Sequence, residues 1–321
     1  MRSFVMGAAV LVLWSTIARA EVTLDWAIVG NKDNAADDTG YGSVDHLYRI
    51  SKHEVTNRQY AEFLNAVDPD GTNPYDLYNT DMGSGFGGIG YNPGNPSGSK
   101  YGVLSGRGEM PVNYVSFWDA IRFANWLNNG QGSGDTETGA YTLTSDGISG
   151  NTVARNPGWR YAVPDEEEWY KAAYYSPSGY FDYPTASNTL PNAEAPPGGS
   201  NSANFNYAVG DLTDVGAYTS SDSPCGTFDQ GGNVWEWNET RVMSQHRGVR
   251  GGSFVHYGGA LNASNYNDSS PPAHENLDVG FRVVRVPEPG SVTLLVCGLV
   301  AGLMGWTRRI APACPSADDS Q

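Results

Sequence analysis

Cysteine is scarce in this chain of 321 residues, which contains three. Cys297 lies in an apolar run near the C-terminus, Cys314 lies in the tail after it, and only Cys225 lies in the rest of the chain. One cysteine cannot close an intrachain disulfide, so a disulfide framework does not hold this protein together. We interpret Cys225 as a packed thiol rather than a nucleophile.

Basic residues are also few. Against 35 acidic residues there are 19 lysines and arginines, which gives a formal net charge of -16. Binding to nucleic acid needs a basic surface, and so does docking on anionic lipid through charge, so the composition argues against both. An acidic surface is typical of a soluble exported protein, and acidic loops are also the kind of sequence that binds calcium.

No internal repeat at a fixed period is visible, which argues against a solenoid. The chain instead has 40 glycines and 19 prolines, so turns and loops must be abundant. Aromatic residues make up 12%, far more than a disordered chain carries. The composition therefore predicts a compact, loop-rich domain with aromatic clusters in its core.

The N-terminus has the pattern of a secretory signal peptide over residues 1–20. Arg2 supplies a positive charge, an apolar run extends from Phe4 to Trp14, and Ala18-Arg19-Ala20 forms a small-x-small cleavage site. A buried N-terminal helix is the alternative. The signal peptide is favoured because the cleavage site lies at the expected distance.

The C-terminus combines three features over residues 286–311, before a polar tail at 312–321. Pro287-Glu288-Pro289 is followed by an apolar run from Val292 to Trp306 and then by Arg308-Arg309. This order resembles the PEP-CTERM sorting signal of Gram-negative bacteria. The resemblance implies transient anchoring in the membrane, cleavage by an exosortase-type sorting protease, and delivery to the cell surface or extracellular matrix.

Three helices and four strands are predicted within residues 21–285. Each helix begins with a capping pair three residues apart, followed by apolar residues at helical spacing. The pairs are Thr56 with Gln59, Ser116 with Asp119, and Asp165 with Glu168. Short strands are expected at 47–50, 161–163, 249–255 and 280–284, and long loops at 70–109 and 176–225.

Six blocks of this sequence, in order, match one family. They are EVTNRQY at 54–60, PVNYVSFWDA at 111–120, PDEEEW at 164–169, GNVWEW at 232–237, RGGSF at 250–254 and GFR at 280–282. On these blocks the chain resembles the formylglycine-generating, or sulfatase-modifying factor, family. The resemblance implies an α+β fold of the C-type-lectin-like kind, loop-rich and with little regular secondary structure.

The family's best-known activity is the oxidation of a sulfatase cysteine to formylglycine, with copper held by two cysteines. Thiolates are soft ligands that select Cu(I). Aligned on Gly251-Gly252-Ser253, the two cysteine positions fall on His256 and Leu261. Leucine neither binds a metal nor exchanges disulfides, so this chain is not expected to generate formylglycine. Ser253 keeps its family position, and with His256 it is the candidate for any catalysis that remains.

A related branch of the family uses iron held by three histidines, partly from a separate helical domain that has no counterpart in this sequence. Five histidines are present, and none has a metal-binding spacing such as H-x-x-x-H. His246, His256 and His274 lie in the C-terminal third and are candidates for a rebuilt redox site. Surface histidines are the simpler interpretation, so copper and iron are not expected.

Calcium is the cofactor that the resemblance implies. Carried over to this chain, the family's structural calcium ligands are Asp229, Gly232, Val234 and Glu236 in one site and Asn204 and Phe205, with Asp211 further on, in a second. Carboxylate, amide and backbone oxygens on a tight turn are the ligands that calcium takes. The alternative is that Trp235 and Trp237 only pack and Glu236 only caps the turn.

Three functions remain open, the third being a degenerate enzyme with a structural role in the cell envelope. The first is a non-catalytic surface module that binds an extracellular polysaccharide or a surface protein, with loop aromatics such as Tyr78, Phe86, Tyr91 and Tyr180 as contacts. The second is a metal-dependent oxidase or modifying enzyme with its centre rebuilt around His256. The missing cysteine pair favours the first.

Overall fold

The computed structural model describes residues 21–265 and 269–286. The predicted signal peptide, the polar tail and all of the predicted sorting signal after Val286 lie outside the described residues. Within the described ranges, no helix is long and apolar enough to cross a membrane. Every strand, helix and core cluster described below lies between Glu21 and Val286.

The described residues contain four α-helices: α1 Asn57–Val67, α2 Phe117–Asn128, α3 Ser145–Ser149 and α4 Glu166–Tyr174. The three predicted helices are α1, α2 and α4, and all three predicted capping boxes are confirmed. In each, the side chain of the cap accepts a hydrogen bond from the backbone three residues on, and the residue there bonds back to the cap. A capping box satisfies two backbone donors that a helix start leaves unpaired, which is why these short sequences fix the helix starts.

Strands are short and numerous. They are β1 Trp26–Val29, β2 Tyr48–Ser51, β3 Ile89–Tyr91, β4 Tyr101–Val103, β5 Tyr161–Ala162, β6 Tyr175–Ser176, β7 Gly179–Tyr180, β8 Asn192–Ala193, β9 Ser202–Ala203, β10 Trp235–Val242, β11 His246–Arg250, β12 Ser269–Ser270, β13 Val279–Gly280 and β14 Val284–Arg285. Two four-stranded sheets carry the fold, in the orders β1-β2-β14-β5 and β12-β11-β10-β13, and the rest form two-stranded ribbons. This mixture of short helices and strands among long loops is the expected loop-rich α+β fold.

The strand predicted at 249–255 is wrong in its position. Strand β11 ends at Arg250, because Gly251 and Gly252 adopt positive φ angles of 96° and 72° and turn the chain away. A Cβ at Gly251 would lie 2.6 Å from the carbonyl oxygen of Gln230, so the turn also needs the close approach that glycine allows. The longest strand, β10, begins inside the GNVWEW block, where the sequence indicated only a turn.

Aromatic residues form the centre of the core, as the composition predicts. Tyr60 and Phe63 of α1 pack against Phe123 and Trp126 of α2, and Phe281 closes the cluster with its ring 5.4 Å from that of Phe123. Edge-to-face and tilted pairs of this kind add stability beyond the area that they bury. The same core positions β10 and the loop at 251–261, which together form the candidate site.

Candidate functional site

Strand β10 separates two regions, because consecutive residues of a strand point to opposite faces. Glu236 faces a fully buried ionic cluster. Its Oε2 accepts hydrogen bonds from Arg282 Nε at 2.5 Å and Trp169 Nε1 at 2.7 Å, and its Oε1 accepts one from Arg282 Nη2 at 2.6 Å. Both side chains of this ion pair are completely buried, so the guanidinium and the carboxylate neutralise each other inside the protein.

Two further carboxylates lie near this pair. Glu54 is buried; its Oε1 accepts a hydrogen bond from Asn233, and its Oε2 is buried with no partner among the described residues. Burial raises the pKa of Glu54 well above its usual range, and the charges of Asp229 and Glu236 raise it further. Burial likewise raises the pKa of Asp229 to about 6. The cluster therefore holds three acidic groups against one arginine.

The predicted calcium ligands fall into two groups. Asn204 lies against the turn before β10, since Asn233 N donates to its carbonyl oxygen and a Cβ on Gly232 would lie 2.3 Å from that same oxygen. Asn204 Oδ1 is buried and lacks a donor in the described part of the chain, so it fits a hard cation. Val234, predicted as a backbone ligand, and Phe205, predicted for the second site, are both buried.

The remaining predicted ligands already have partners. Both oxygens of Glu236 are taken by Arg282 and Trp169, Asp229 Oδ2 accepts a 2.5 Å hydrogen bond from Gly216 N, and Asp211 pairs with Arg107. Among residues 21–265 and 269–286 no three His, Cys, Asp or Glu side chains come together as a metal site. An ion at the Glu236 site would therefore have to share the carboxylate with Arg282 and Trp169.

On the other face of β10, Trp235 lines a pocket of about 240 Å³. Two predicted histidines, His256 and His274, share this pocket, whereas His246 contacts its rim through Ser269 Oγ at 3.1 Å. The other lining residues are Val249, Ser269, Ser270, Asn276, Asp278 and Val279. No sequence pattern indicated Asn276 or Asp278, since both come from an irregular segment before β13.

Ser253, His256 and Asp278 form a chain of polar contacts at the base of this pocket. The Ser253 hydroxyl is buried and lies 2.7 Å from both His256 Nδ1 and Asp278 Oδ2. Trp235 Nε1 donates to His256 Nδ1 at 3.1 Å. In a nucleophilic triad the histidine lies between serine and carboxylate. Here all three groups contact one another: the Ser253 hydroxyl donates to Asp278 Oδ2, which also lies 3.4 Å from His256 Nδ1, so the arrangement orients His256 and is not a linear triad.

The two positions predicted to align with the family's cysteines lie in different surroundings. His256 is half-exposed at the pocket, with 42% of its side chain accessible. Leu261 is fully buried in an apolar cluster with Ala203 and Phe205. A copper ion held by two thiolates needs both positions to face the same space, and Leu261 here fills apolar core.

The loop aromatics singled out from the sequence mostly pack. Tyr78 is buried against Tyr101, Phe86 packs on Phe254, and Tyr180 packs on Tyr170. Tyr91 is 38% exposed, with its hydroxyl bonded to the Gly71 carbonyl.

Different aromatic and apolar side chains are exposed on loops next to His256. They are Leu190, Tyr207, Val209 and Tyr257, with Tyr257 79% accessible, and a Cβ on Gly258 would lie 2.4 Å from Leu190 Cδ1. Backbone hydrogen bonds join two of these loops, from Asn206 N to His256 O at 2.8 Å and from Tyr207 N to Phe254 O at 2.7 Å. Both Asn206 and Tyr207 have positive φ angles, an arrangement that sequence patterns did not indicate.

A family model, the sulfatase-modifying factor enzyme 1-like domain, matches residues 30–287. Comparison with curated protein sequences gives no match. Among solved structures, CarF is 21% identical, with 83% of this chain and 99% of that chain covered and a TM-score of 0.51.

Two other solved structures are similar. Treponema denticola variable protein 1 is 20% identical over 85% of this chain and 98% of its own, with a TM-score of 0.52. PvdO from Pseudomonas aeruginosa is 18% identical over 82% of this chain and 92% of its own, with a TM-score of 0.43. At these identities CarF and the Treponema protein support the fold and say nothing about activity.

Proposed function

Since this chain belongs to the sulfatase-modifying factor enzyme 1-like domain family, we propose that it is a binding module of that family, exported to the cell surface, and not a formylglycine generator. The observation that carries the proposal is the buried, apolar setting of Leu261 at the second cysteine position. Neither the thiolate pair nor the disulfide exchange that the family's oxidation chemistry needs can arise there.

The pocket beside Trp235 is the proposed binding site. Its lining combines an indole, two imidazoles, an amide, two serine hydroxyls and the carboxylate of Asp278. Such a mixture of flat rings and short polar groups suits the ring faces and hydroxyls of a polysaccharide. Exposed Tyr207 and Tyr257 on the neighbouring loops extend the contact surface beyond the pocket.

A rebuilt metal centre is the second candidate, because His256 and His274 line the same pocket. The metal content of the purified protein tests this alternative. Stoichiometric copper or iron that is lost in His256→Ala would favour a metal-dependent enzyme over the binding module. Without such a metal no redox step is available to these side chains.

Calcium is proposed as a structural ion near Asn204. Support comes from its buried and unpartnered Oδ1 and from the excess of buried carboxylate around Arg282. Mass spectrometry after dialysis against metal-free buffer should find about one or two calcium ions per chain, the range of the two sites carried over from the family. Asn204→Ala should lower that content, and the exposed variant Asn92→Ala should leave it unchanged.

Export also remains a proposal, supported by the sequence patterns at both ends of the chain. The predicted partner for processing is an exosortase-type protease that acts near Pro287, and the predicted location is the surface or matrix of a Gram-negative cell. Mass spectrometry of the mature protein from such a cell should find termini near Glu21 and Pro287. Intact termini in the surface fraction would contradict this route.

Affinity electrophoresis through gels that contain laminarin, dextran or hydroxyethyl cellulose tests the binding function. We expect retardation by at least one polysaccharide. Ser270→Trp, which fills the pocket, should abolish it, whereas Ser178→Trp on an exposed turn should not. Absence of retardation in every gel, together with failure to bind any surface protein, would contradict the proposal.

A further inference from the structure

The outer face of the sheet β1-β2-β14-β5 differs from the rest of this acidic protein. Side chains alternate along its strands, so that Ala27, Val29, Tyr48, Ile50, Ala162 and Val284 are buried on the inner face. The outer face carries Trp26, Ile28, Leu47, Arg49, Tyr161 and Arg285, all half-buried or exposed. We call this set the arginine face.

Strand register places its two arginines side by side. Arg285 is the direct cross-strand partner of Arg49 on one side and of Tyr161 on the other, and Arg49 in turn pairs with Ile28 of β1. Like charges directly opposite each other on neighbouring strands are destabilising. The stability of the sheet therefore does not explain why Arg49 and Arg285 are cross-strand partners.

Among the described residues, no ion pair relieves this repulsion. None of the four strands contains an acidic residue, and neither arginine forms an ion pair within residues 21–265 and 269–286. The Nε atoms of both are shielded and have no acceptor in the same residues. On a chain of net charge -16, two adjacent arginines without a carboxylate partner form a local site for an anion.

The aromatic residues of this face favour one kind of anionic partner. The Arg285 guanidinium lies 4.6 Å from the centre of the Trp26 ring, and the Trp26 and Tyr161 rings are 6.0 Å apart. Tryptophan and tyrosine are enriched where a protein meets the headgroup layer of a membrane. Ile28 and Leu47, which are 40% and 48% exposed, add apolar side chains to the same surface.

The chain also leaves the domain at this face. Strand β14 ends at Arg285, and the apolar run that starts at Val292 follows six residues after Val286. Six extended residues reach about 20 Å. A membrane that holds the apolar run would therefore lie within about 20 Å of the two arginines.

We propose that the arginine face docks on the anionic headgroup layer of a phospholipid membrane, with Arg49 and Arg285 contacting lipid phosphates and Trp26 and Tyr161 lying at the interface. The overall acidity of the chain does not prevent this contact. At physiological ionic strength charges more than about 8 Å away are largely screened, so acids on other faces act weakly at the headgroups.

Vesicle flotation tests the proposal with the chain of residues 21–286, which contains every described element of the fold. The vesicles are phosphatidylglycerol with phosphatidylethanolamine, or phosphatidylcholine alone. We expect binding to the first and little to the second. The double variant Arg49→Gln/Arg285→Gln should weaken binding about thirty-fold, since each basic residue near an anionic surface contributes roughly a five-fold gain.

A matched control removes the same charge elsewhere. Arg58→Gln/Arg241→Gln alters two exposed arginines outside this face and should leave binding unchanged. Thermal unfolding should show the Arg49→Gln/Arg285→Gln protein to be at least as stable as the parent, because a like-charge pair has been removed.

Four results would overturn the proposal: no binding to anionic vesicles, equal binding to phosphatidylcholine, equal losses in the two double variants, or full competition by millimolar inorganic phosphate. The last result would indicate a site for free phosphate. None of these outcomes affects the polysaccharide test, since Ser270 lies in the other sheet.

Discussion

Trp235 and Glu236 are neighbours on β10, yet they belong to regions with opposite properties. Glu236 is completely buried, and its two oxygens are held by Arg282 and Trp169. Trp235 faces a solvent-accessible pocket, and the His256 side chain in that pocket is 42% accessible. The comparison shows that one short block of sequence can stabilise the fold on one face of a strand and line an accessible pocket on the other.

The largest effect is expected on the buried side. Glu236→Ala leaves Arg282 as an unpaired buried charge, so the free energy of unfolding should fall by about 3–5 kcal/mol. Urea denaturation measures this change. Glu109→Ala breaks the exposed pair with Arg58 and should cost less than about 1 kcal/mol. Similar losses in both variants would show that burial does not distinguish the two regions.

Leu261 tests whether the position predicted to align with the family's second cysteine belongs to the core. Leu261→Ala should lower the free energy of unfolding by roughly 2–5 kcal/mol, because it leaves a cavity beside Ala203 and Phe205. Leu190→Ala, at a half-exposed position near the same loop, should change it by less than about 0.5 kcal/mol. A harmless Leu261→Ala would contradict the argument against a thiolate pair.

The pH dependence of stability tests the acidic cluster. Since burial raises the pKa of Glu54 in the folded state, the folded protein holds a proton that the unfolded chain has released. Stability should therefore fall as pH rises from the ordinary glutamate value through the folded one, by up to about 1.4 kcal/mol per pH unit.

Glu54→Gln removes this contribution, so urea denaturation between pH 5 and pH 8 should give a flatter curve. The exposed variant Asp70→Asn should keep the parent's slope. An identical slope for Glu54→Gln would mean that its carboxyl group stays ionised in the folded protein, for example because a cation neutralises it.

The smallest effect on stability is expected beside the pocket. Tyr257→Ala removes a side chain that is 79% exposed and should change the free energy of unfolding by less than about 0.5 kcal/mol. It should nevertheless reduce retardation in the polysaccharide gel that binds the parent. A matched control is Tyr75→Ala, an exposed tyrosine over Arg122, which should leave retardation unchanged.

Local sequence was sufficient where the interaction is local. Thr56 with Gln59 predicted the start of α1 because both partners of a capping box lie within one helical turn. The same reasoning located α2 and α4. Local reasoning was insufficient at β10 and β11. Strand β11 ends before Gly251, whose backbone lies close to Gln230, twenty-one positions earlier in the chain.

The candidate site was predicted in part. Ser253, His256 and His274 were recognised from block positions and residue type, and all three lie at or beside one pocket. Asp278 and Asn276 were not, because an irregular segment brings them there through contacts such as the hydrogen bond from Trp235 N to Asp278 O. The exposed Tyr207 and Tyr257 were likewise missed, since exposure depends on how three separate loops meet.

By itself, the sequence determined the family, the helix starts and the aromatic core, because each depends on residue identity or on neighbours within one turn. Only the tertiary structure decided that Glu236 pairs with Arg282, that Leu261 is buried while His256 is accessible, and that Arg49 lies beside Arg285. Each of these depends on packing between segments far apart in the chain, which no local pattern encodes.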